Sequence, residues 1–334
     1  MKSTNHTVPL VSIIIPTFNK AKLAIETFKS IANQSYTNWE CIIVDDGSVA
    51  EDYKVLHAFV KSDKRFSLHK RPINKKKGAN ACRNYGLSLS KGHYIQFFDS
   101  DDVMLENCLE GRVEAIEAST LDLVIFSMGI YCKGGFKNDD TSDVMVNTWE
   151  TALSAFVGKK RLPWNLQRTL YRASLIKERI IFDENLNRFQ DVEFNIRLLS
   201  QLKPKFKIFS QIDCVYRRAN SSNPRTKSFY KDVFQSIPIF LESIHTEIPS
   251  DILEHNRDNL KIWLFNLIGL YANKSLQKGE LNTVINVAKE KLYLSNKQKI
   301  ILNLLFFSKT KLKGIKGVVR LNSYLRKNYI KLNA

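Results

Sequence analysis

The chain has few cysteines and no long apolar segment, and each shortage excludes a class of protein. Its five cysteines among 334 residues are scattered and never form a CxxC pair. This argues against a disulfide framework or a zinc site and favours a reducing compartment. The longest apolar stretches, at 262–272 and 300–307, are far shorter than the roughly 20 residues of a membrane span. Because residues 1–11 also lack the apolar core of a signal peptide, we expect a cytoplasmic protein.

Glycine is missing where a dinucleotide- or ATP-binding fold would need it. The first predicted strand, 11–15, is a β-branched run that we expect Pro16 to end, and it is followed by PTFNK at 16–20. No GxxxxGK[ST] segment occurs in the chain. Without a glycine-rich turn, backbone N–H groups cannot closely approach a pyrophosphate. If a diphosphate binds here, a metal ion must neutralise its charge.

Strands and helices alternate along the first hundred residues. The predicted strands are 11–15, 39–44, 66–70 and 94–98, and the predicted helices between them are 22–33, 52–60 and 79–90. This alternation is typical of a doubly wound, mostly parallel α/β sheet, whose ligands bind at the carboxyl ends of the strands. After about residue 220, amphipathic helical patterns replace the strand patterns. We therefore predict an α/β domain over 1–222 and a basic, mainly α-helical region over 223–334.

Acidic side chains are concentrated where the fourth predicted strand ends. The segment YIQFFDSDD at 94–102 places Asp99, Asp101 and Asp102 directly after the strand. Carboxylates this close raise one another's pKa, and their oxygens suit Mg²⁺ or Mn²⁺. Taken alone, the segment allows a second interpretation, in which Asp101 or Asp102 only caps the next helix. The polar clusters at 17–19 and 45–48 end two further strands, and their convergence on one edge of the sheet favours the metal.

Five segments occur in the order seen in a known enzyme family. They are VSIIIPTFN (11–19), VDDGS (44–48), GANACRNYGL (78–87), YIQFFDSDD (94–102) and RFQDVEFNIRLL (188–199). Together they resemble family 2 glycosyltransferases, over about residues 8–220. The resemblance implies the GT-A type of nucleotide-diphospho-sugar transferase fold with a helical C-terminal extension. It also implies an inverting enzyme that moves a sugar from a nucleotide-diphosphate donor, expected to be a UDP-sugar, to a hydroxyl of a glycan or lipid-linked acceptor.

The same resemblance implies a donor site. The residues expected to bind the donor nucleotide are Pro16, Thr17, Phe18, Asn19, Asp46, Arg83, Asn84, Asp99 and Ser100. Among them, Asp46 matches the carboxylate that contacts the base. Asp101 matches the direct ligand of a divalent metal, Mn²⁺ or Mg²⁺, and Asp99 and Asp102 are the further candidates. Such an ion would neutralise the charge that grows on the leaving diphosphate.

The resemblance also implies where acid–base chemistry takes place. Asp191 matches the general base that deprotonates the acceptor hydroxyl as it attacks. Gln190 stands where the family usually has glutamate, and Glu193 is the alternative base. Trp164 matches a residue near the junction of donor and acceptor, so we assign Trp164 and Gln190 to the acceptor and sugar. A non-catalytic nucleotide-sugar or polyanion-binding module on the same fold is the alternative to an enzyme.

Acidic residues are absent after Glu290, although eleven lysines and arginines follow it. A basic amphipathic helix with aromatic residues is typical of a membrane-surface element. We expect peripheral attachment to the anionic inner face of the cell membrane, and a solvated helical cap is the alternative. Since no nucleic-acid-binding motif accompanies the charge, we do not expect nucleic acid as a partner.

Overall fold

The structure is a computed structural model, and it describes residues 8–132, 135–138, 146–158, 162–217, 226–273 and 277–332. The strands are β1 Val11–Thr17, β2 Trp39–Asp45, β3 Phe66–Lys70, β4 Tyr94–Phe97, β5 Val103–Met104, β6 Leu123–Cys132, β7 Gly135–Asn138, β8 Thr169–Arg172 and β9 Phe206–Tyr216. The helices are α1 Ala21–Ala32, α2 Ala50–Val60, α3 Ala79–Leu89, α4 Cys108–Glu117, α5 Trp149–Gly158, α6 Ala173–Ile176, α7 Gln190–Arg197, α8 Lys227–Glu247, α9 Ser250–Tyr271, α10 Lys278–Leu292, α11 Asn296–Thr310 and α12 Val318–Lys331.

The strands form one sheet in the order β3-β2-β1-β4-β8-β6-β9-β5, with β7 paired to β6. Strands β3, β2, β1 and β4 are parallel to one another, and β8 joins this half to β6 through antiparallel pairs with β4 and β6. The chain therefore has the predicted GT-A α/β fold. Its parallel half directs the ends of β1, β2 and β4 to one edge of the sheet.

Strand β1 lies at the centre of the parallel half, and every one of its residues is buried. The prediction that Pro16 ends this strand is wrong, because Pro16 pairs with Val44 and the strand continues to Thr17. Strand β4 ends opposite Ile14, whose carbonyl accepts a hydrogen bond from the Phe98 N–H. Backbone N–H groups alternate between the two sides of a strand, so the Pro16 nitrogen faces the β4 side, beyond the last residue of β4. Proline has no N–H, and at this position its absence removes no hydrogen bond between strands.

The chain divides into two compact units. The first unit holds the whole sheet and consists of Met1–Trp149, Pro163–Asn185 and Leu202–Ala219. The second consists of Glu150–Leu162, Leu186–Gln201 and Asn220–Ala334, and it is helical in its described part. The domain boundary predicted at residue 222 lies outside the described residues.

Amphipathic packing builds the second unit. Helices α8 and α9 bury apolar side chains such as Phe234, Ile237, Leu264 and Ile268, each 1% exposed or less. Apolar faces buried at helical spacing stabilise such helices far more than local propensity does. Among the helices described, none is both long enough and apolar enough to cross a membrane.

Candidate functional site

The loops after β1, β2 and β4 contact one another at the carboxyl edge of the parallel strands. The Asn19 N–H donates to Ser48 Oγ over 2.9 Å and so joins the first two loops. Lys20 Nζ donates to Asp101 Oδ2 over 2.5 Å and joins the first loop to the third. The predicted convergence of the three polar clusters is therefore present, and it lies entirely within the first unit.

Asp46 is held in place by two donors and keeps one oxygen open. Its side chain is buried, and Oδ1 accepts hydrogen bonds from Arg71 Nε at 2.6 Å and from the Gly78 N–H at 3.1 Å. No described residue donates to Oδ2. Gly47, the next residue, has a φ of +88°, which favours glycine at this turn. The turn thus presents a fixed carboxylate oxygen that can accept an N–H from a ligand.

An aromatic ring and a buried hydroxyl lie next to Asp46, at the end of β1. Phe18 is 39% exposed, and Lys77 Nζ lies 3.9 Å from the centroid of its ring. Thr17 Oγ1 is buried and has no hydrogen-bond partner among the described residues. Because the Asp46 N–H donates to the Thr17 carbonyl over 2.9 Å, these groups are neighbours at the ends of β1 and β2. A buried polar atom without a partner in the protein is a feature of ligand sites.

The carboxylates after β4 have protein donors that the sequence does not reveal. Asp99 accepts from Arg83 Nη2 on Oδ1 and from Gln167 Nε2 on Oδ2, both at 2.7 Å. Asp102 accepts from the same Gln167 nitrogen on Oδ2 at 2.9 Å and from the Arg217 N–H on Oδ1 at 3.0 Å. Both oxygens of Asp102 are thus engaged within the protein, and its side chain is 1% exposed.

Asp101 is the carboxylate best placed to reach a ligand. Its side chain is 28% exposed, and Oδ1 has no hydrogen bond to any described residue. Burial, followed by the nearby charges of Asp99 and Asp101, raises the pKa of Asp102 to about 8. Burial and the charges of Asp99 and Asp101 thus disfavour the charged form of Asp102, and a nearby cation would favour it.

The donor set fits a divalent ion that is shared with a ligand. Within the described part of the chain, no three His, Cys, Asp or Glu side chains are arranged to hold a metal by themselves. Mg²⁺ commonly binds one or two carboxylates together with substrate phosphates and water, and carboxylate oxygens also suit Mn²⁺. Asp101 with Asp99 matches that requirement.

Two predicted contact residues, Asn84 and Trp164, are engaged within the protein. Asn84 donates both amide protons within the protein, to the Phe182 carbonyl at 2.9 Å and to Glu184 Oε1 at 3.1 Å. It therefore holds the segment 182–184 and has no proton left for a nucleotide. Trp164 is 1% exposed and packs against Phe206 at 5.2 Å between ring centroids. The indole is thus packed in the core, and its assignment to the acceptor and sugar stays a prediction. Ser100 is also buried.

In the second unit, Glu193 is a structural residue. It is 1% exposed and forms an ion pair with Arg197. It also accepts a hydrogen bond from Ser243 Oγ at 2.5 Å, which ties α7 to α8. The Glu193 carboxylate is thus engaged by protein donors, and its role as the alternative base stays a prediction.

Asp191 lies in the first turn of α7, directly after an unusual backbone conformation. Phe189 has a φ of +63°, and its ring packs on Phe240 and Trp263. Gln190 Nε2 donates to the Leu186 carbonyl over 3.1 Å. Left-handed conformations of large residues persist only when packing enforces them, and they cluster at functional sites. Asp191 itself is partly exposed.

Comparisons with known proteins agree with the fold and with the motifs. The family model described as "Glycosyl transferase family 2" matches residues 12–182, about half of the chain. Glycosyltransferase GlyG of Streptococcus pneumoniae serotype 4 is 28% identical over 245 residues, which are 68% of this chain and 77% of GlyG. The putative colanic acid biosynthesis glycosyl transferase WcaA of Escherichia coli K12 is 26% identical, over 60% of this chain and 70% of its own.

Solved structures show the same fold at low sequence identity. Residues 1–349 of S. aureus TarS in complex with UDP-GlcNAc superpose with a TM-score of 0.61 at 19% identity, covering 96% of this chain and 88% of that one. The mannosyltransferase PcManGT from Pyrobaculum calidifontis, in complex with GDP-Man and Mn²⁺, gives a TM-score of 0.55 at 13% identity, covering 97% and 86%.

Proposed function

The chain belongs to glycosyl transferase family 2 and is a glycosyltransferase, and from this premise we propose that it transfers a sugar from a UDP-sugar to a hydroxyl group of a glycan or lipid-linked acceptor, with inversion. The observation that carries the proposal is the group of neighbours Asp46, Thr17 and Phe18, which we take as the wall of the base pocket, the pocket wall. It offers a carboxylate oxygen and a hydroxyl that have no partner among the described residues, together with an exposed ring. TarS, which shares the fold, was solved with UDP-GlcNAc, and this supports uridine as the base.

Each residue of the pocket wall has a defined task in the proposal. Asp46 Oδ2 accepts an N–H of the base, while Arg71 and Gly78 keep the carboxylate in place. Phe18 offers its ring face to the base, and Thr17 Oγ1 gains the hydrogen bond that it lacks. Pro16 and Asn19 shape the loop. Selectivity then follows because a base without a suitably placed N–H would leave buried polar groups unpaired.

The acidic loop, defined here as residues 99–102, binds the diphosphate end of the donor. Asp101, with Asp99, would hold a Mn²⁺ or Mg²⁺ ion, which stabilises the charge developing on the leaving diphosphate. Lys20 holds Asp101 and Arg83 holds Asp99. Asp99 and Asp102 both accept hydrogen bonds on their two oxygens, but the Asp99 side chain is 36% exposed whereas Asp102 is 1% exposed. We therefore assign Asp102 to support of the loop rather than to metal binding.

Asp191 is the proposed general base, by its match to the family motif and its place in the first turn of α7. Its carboxylate takes the proton of the acceptor hydroxyl as that oxygen bonds to the anomeric carbon and the bond to the diphosphate oxygen breaks. One displacement inverts the configuration. The helix N-terminus favours the charged carboxylate, and Gln190 is proposed to line the acceptor side.

A thermal-shift panel of nucleotide diphosphates and nucleotide sugars, with Mn²⁺ and with EDTA, tests the donor site. A ligand at a hundred times its dissociation constant stabilises by about 2.7 kcal/mol, which raises the melting temperature by several degrees. We expect the largest metal-dependent shift with a uridine compound. No shift with any nucleotide would refute the donor site.

Asp191→Asn separates an enzyme from the alternative binding module. The variant should keep donor binding in the thermal-shift panel and lose transfer by roughly 10²–10⁴-fold. Glu193→Gln is the matched control, because Glu193 is buried and structural, and its folded fraction should transfer normally. Full transfer by Asp191→Asn would show that another group acts as base.

The acceptor is proposed to be a growing surface polysaccharide or its lipid-linked precursor. The relative WcaA is named for colanic acid biosynthesis, and TuaG of Bacillus subtilis is named for teichuronic acid biosynthesis. Such an acceptor would lie at the inner face of the cell membrane if its carrier is a lipid. Transfer assays with lipid-linked and soluble acceptors distinguish the two sources.

We also propose that the C-terminal helices attach to an anionic membrane. In α11 the side chains of Ile300, Leu304 and Phe307 are 58%, 46% and 51% exposed at helical spacing, so they form an outward apolar row among the eleven basic residues that follow Glu290. Each basic residue near an anionic leaflet contributes about 1 kcal/mol. Salt-sensitive flotation with phosphatidylglycerol vesicles tests this, and Leu304→Ser with Phe307→Ser should weaken it. Equal binding to neutral vesicles would contradict the charge argument.

A further inference from the structure

We propose that Gln167 is the positioning residue of the acidic loop, holding Asp99 and Asp102 at a fixed separation so that Asp99 and Asp101 can engage the metal and diphosphate. The inference rests on the proposed donor site. Gln167 belongs to none of the five family segments, and it lies 68 residues from Asp99 in the chain. Its importance is visible only in the folded protein.

The geometry uses both protons of one amide nitrogen. Gln167 Nε2 donates to Asp99 Oδ2 at 2.7 Å and to Asp102 Oδ2 at 2.9 Å. A primary amide has two N–H groups, so the nitrogen is fully used by these two carboxylates. The side chain is 4% exposed, and water cannot easily replace the donor. Two neighbouring carboxyl groups are therefore held together by one neutral donor.

The backbone of Gln167 is anchored to a buried ion pair. Its carbonyl accepts hydrogen bonds from Gln96 Nε2 at 3.1 Å and from Arg112 Nη1 at 2.8 Å. Arg112, which is fully buried, binds both oxygens of Asp213 at 2.6 and 2.7 Å. The side-chain amide of Gln167 thus extends toward the acidic loop from a backbone that is anchored in the core. This anchoring fixes the direction of the amide as well as its contacts with Asp99 and Asp102.

Removing the side-chain amide of Gln167 should release Asp99 and Asp102 from their shared donor while leaving the carboxylates themselves unchanged. Gln167→Met keeps the length and approximate volume of the side chain but donates no hydrogen bond. Of the described donors to Asp99, Arg83 alone would remain, and no shared donor would tie Asp99 to Asp102. Groups that orient metal ligands typically change metal affinity by roughly 10–100-fold when they are replaced, and we expect a loss of that size.

The test measures Mn²⁺ affinity by isothermal titration in the presence of saturating UDP, together with the melting temperature of the ligand-free protein. Gln34→Met is the matched control, because Gln34 is a buried amide of the same unit that donates to the Ser30 and Leu105 carbonyls. Gln34→Met should lower the melting temperature but bind Mn²⁺ with wild-type affinity. Gln167→Met should weaken Mn²⁺ binding and raise KM for the donor.

The outcomes separate the two proposals. Wild-type protein that binds neither Mn²⁺ nor UDP would refute the donor site itself. Wild-type binding with unchanged affinity in Gln167→Met would overturn only the positioning role. If Gln167→Met does not fold, Gln167→Asn decides, since it keeps the amide but withdraws it by one methylene. It should show the same loss, and wild-type affinity in Gln167→Asn would overturn the inference.

Discussion

Replacing Arg112 with methionine should be among the most destabilising single changes in the first unit. Arg112 is completely buried and Asp213 is 3% exposed. The arginine donates to both Asp213 oxygens, to the Gln96 side chain and to the Gln167 carbonyl. Its loss would leave the Asp213 carboxylate buried without a counter-charge, because water cannot reach it.

The magnitude follows from the uncompensated charge. Removing one partner of a buried ion pair typically costs roughly 3–5 kcal/mol, a large fraction of the 5–15 kcal/mol or so by which folded proteins are stable. For a unit of this size, each kcal/mol lowers the melting temperature by about 2–4 °C. We therefore expect Arg112→Met to melt on the order of 10 °C below the wild type.

Differential scanning fluorimetry of the wild type and three variants checks the reasoning. The double variant Arg112→Met with Asp213→Asn removes both charges, so it should recover a substantial part of the loss. Arg65→Met is the control for a partly exposed pair with Asp63, and it should cost less than 1 kcal/mol or so. An Arg112→Met variant as stable as the wild type, or a double variant no better than the single one, would refute the argument.

Three further changes address other parts of the molecule. Asp101→Asn should abolish the Mn²⁺-dependent stabilisation by UDP in thermal shift, whereas Asp63→Asn should leave it intact. Gly47→Ala should lower the free energy of unfolding, measured in urea, by about 1–2 kcal/mol. The cost comes from the backbone alone, since the φ of Gly47 is +88° and an added Cβ meets no atom within 4 Å. An unchanged urea midpoint would contradict this backbone cost. Glu193→Gln should lower the melting temperature by weakening the ion pair with Arg197, and an unaltered melting temperature would show that this pair is energetically silent.

The local pattern of the chain predicts its strands well, because β-branched runs and helical apolar spacing are properties of neighbouring residues. Strand β3 has the predicted bounds 66–70, and α1 and α3 begin or end within one residue of expectation. The meeting of the three loops follows from the same information, since parallel strands place their carboxyl ends together. The contact of Lys20 with Asp101 is the direct evidence for that meeting.

What could not be predicted depends on partners that are distant in sequence. Nothing near Asn84 indicates that residues 182–184 will occupy both protons of its amide, and nothing near Trp164 indicates that Phe206 will cover its ring. A family motif transfers the position of a residue, whereas the direction of its side chain is set by tertiary packing. Gln167 was missed for the same reason, because an amide has no distinctive pattern in sequence until its carboxylate partners are known.

The donors of the acidic loop also set the order in which the site can be completed during synthesis. Asp102 receives its hydrogen bonds from residues 65 and 115 positions later in the chain. At roughly 5–20 residues per second, the second donor emerges about 6–23 s after the carboxylate itself. Strands β1 to β4 can pair before then through shorter-range contacts, but in a nascent chain at that stage Asp102 lacks the donor from Arg217. Truncated chains that end before Arg217 should therefore contain the parallel half-sheet and lack a finished acidic loop.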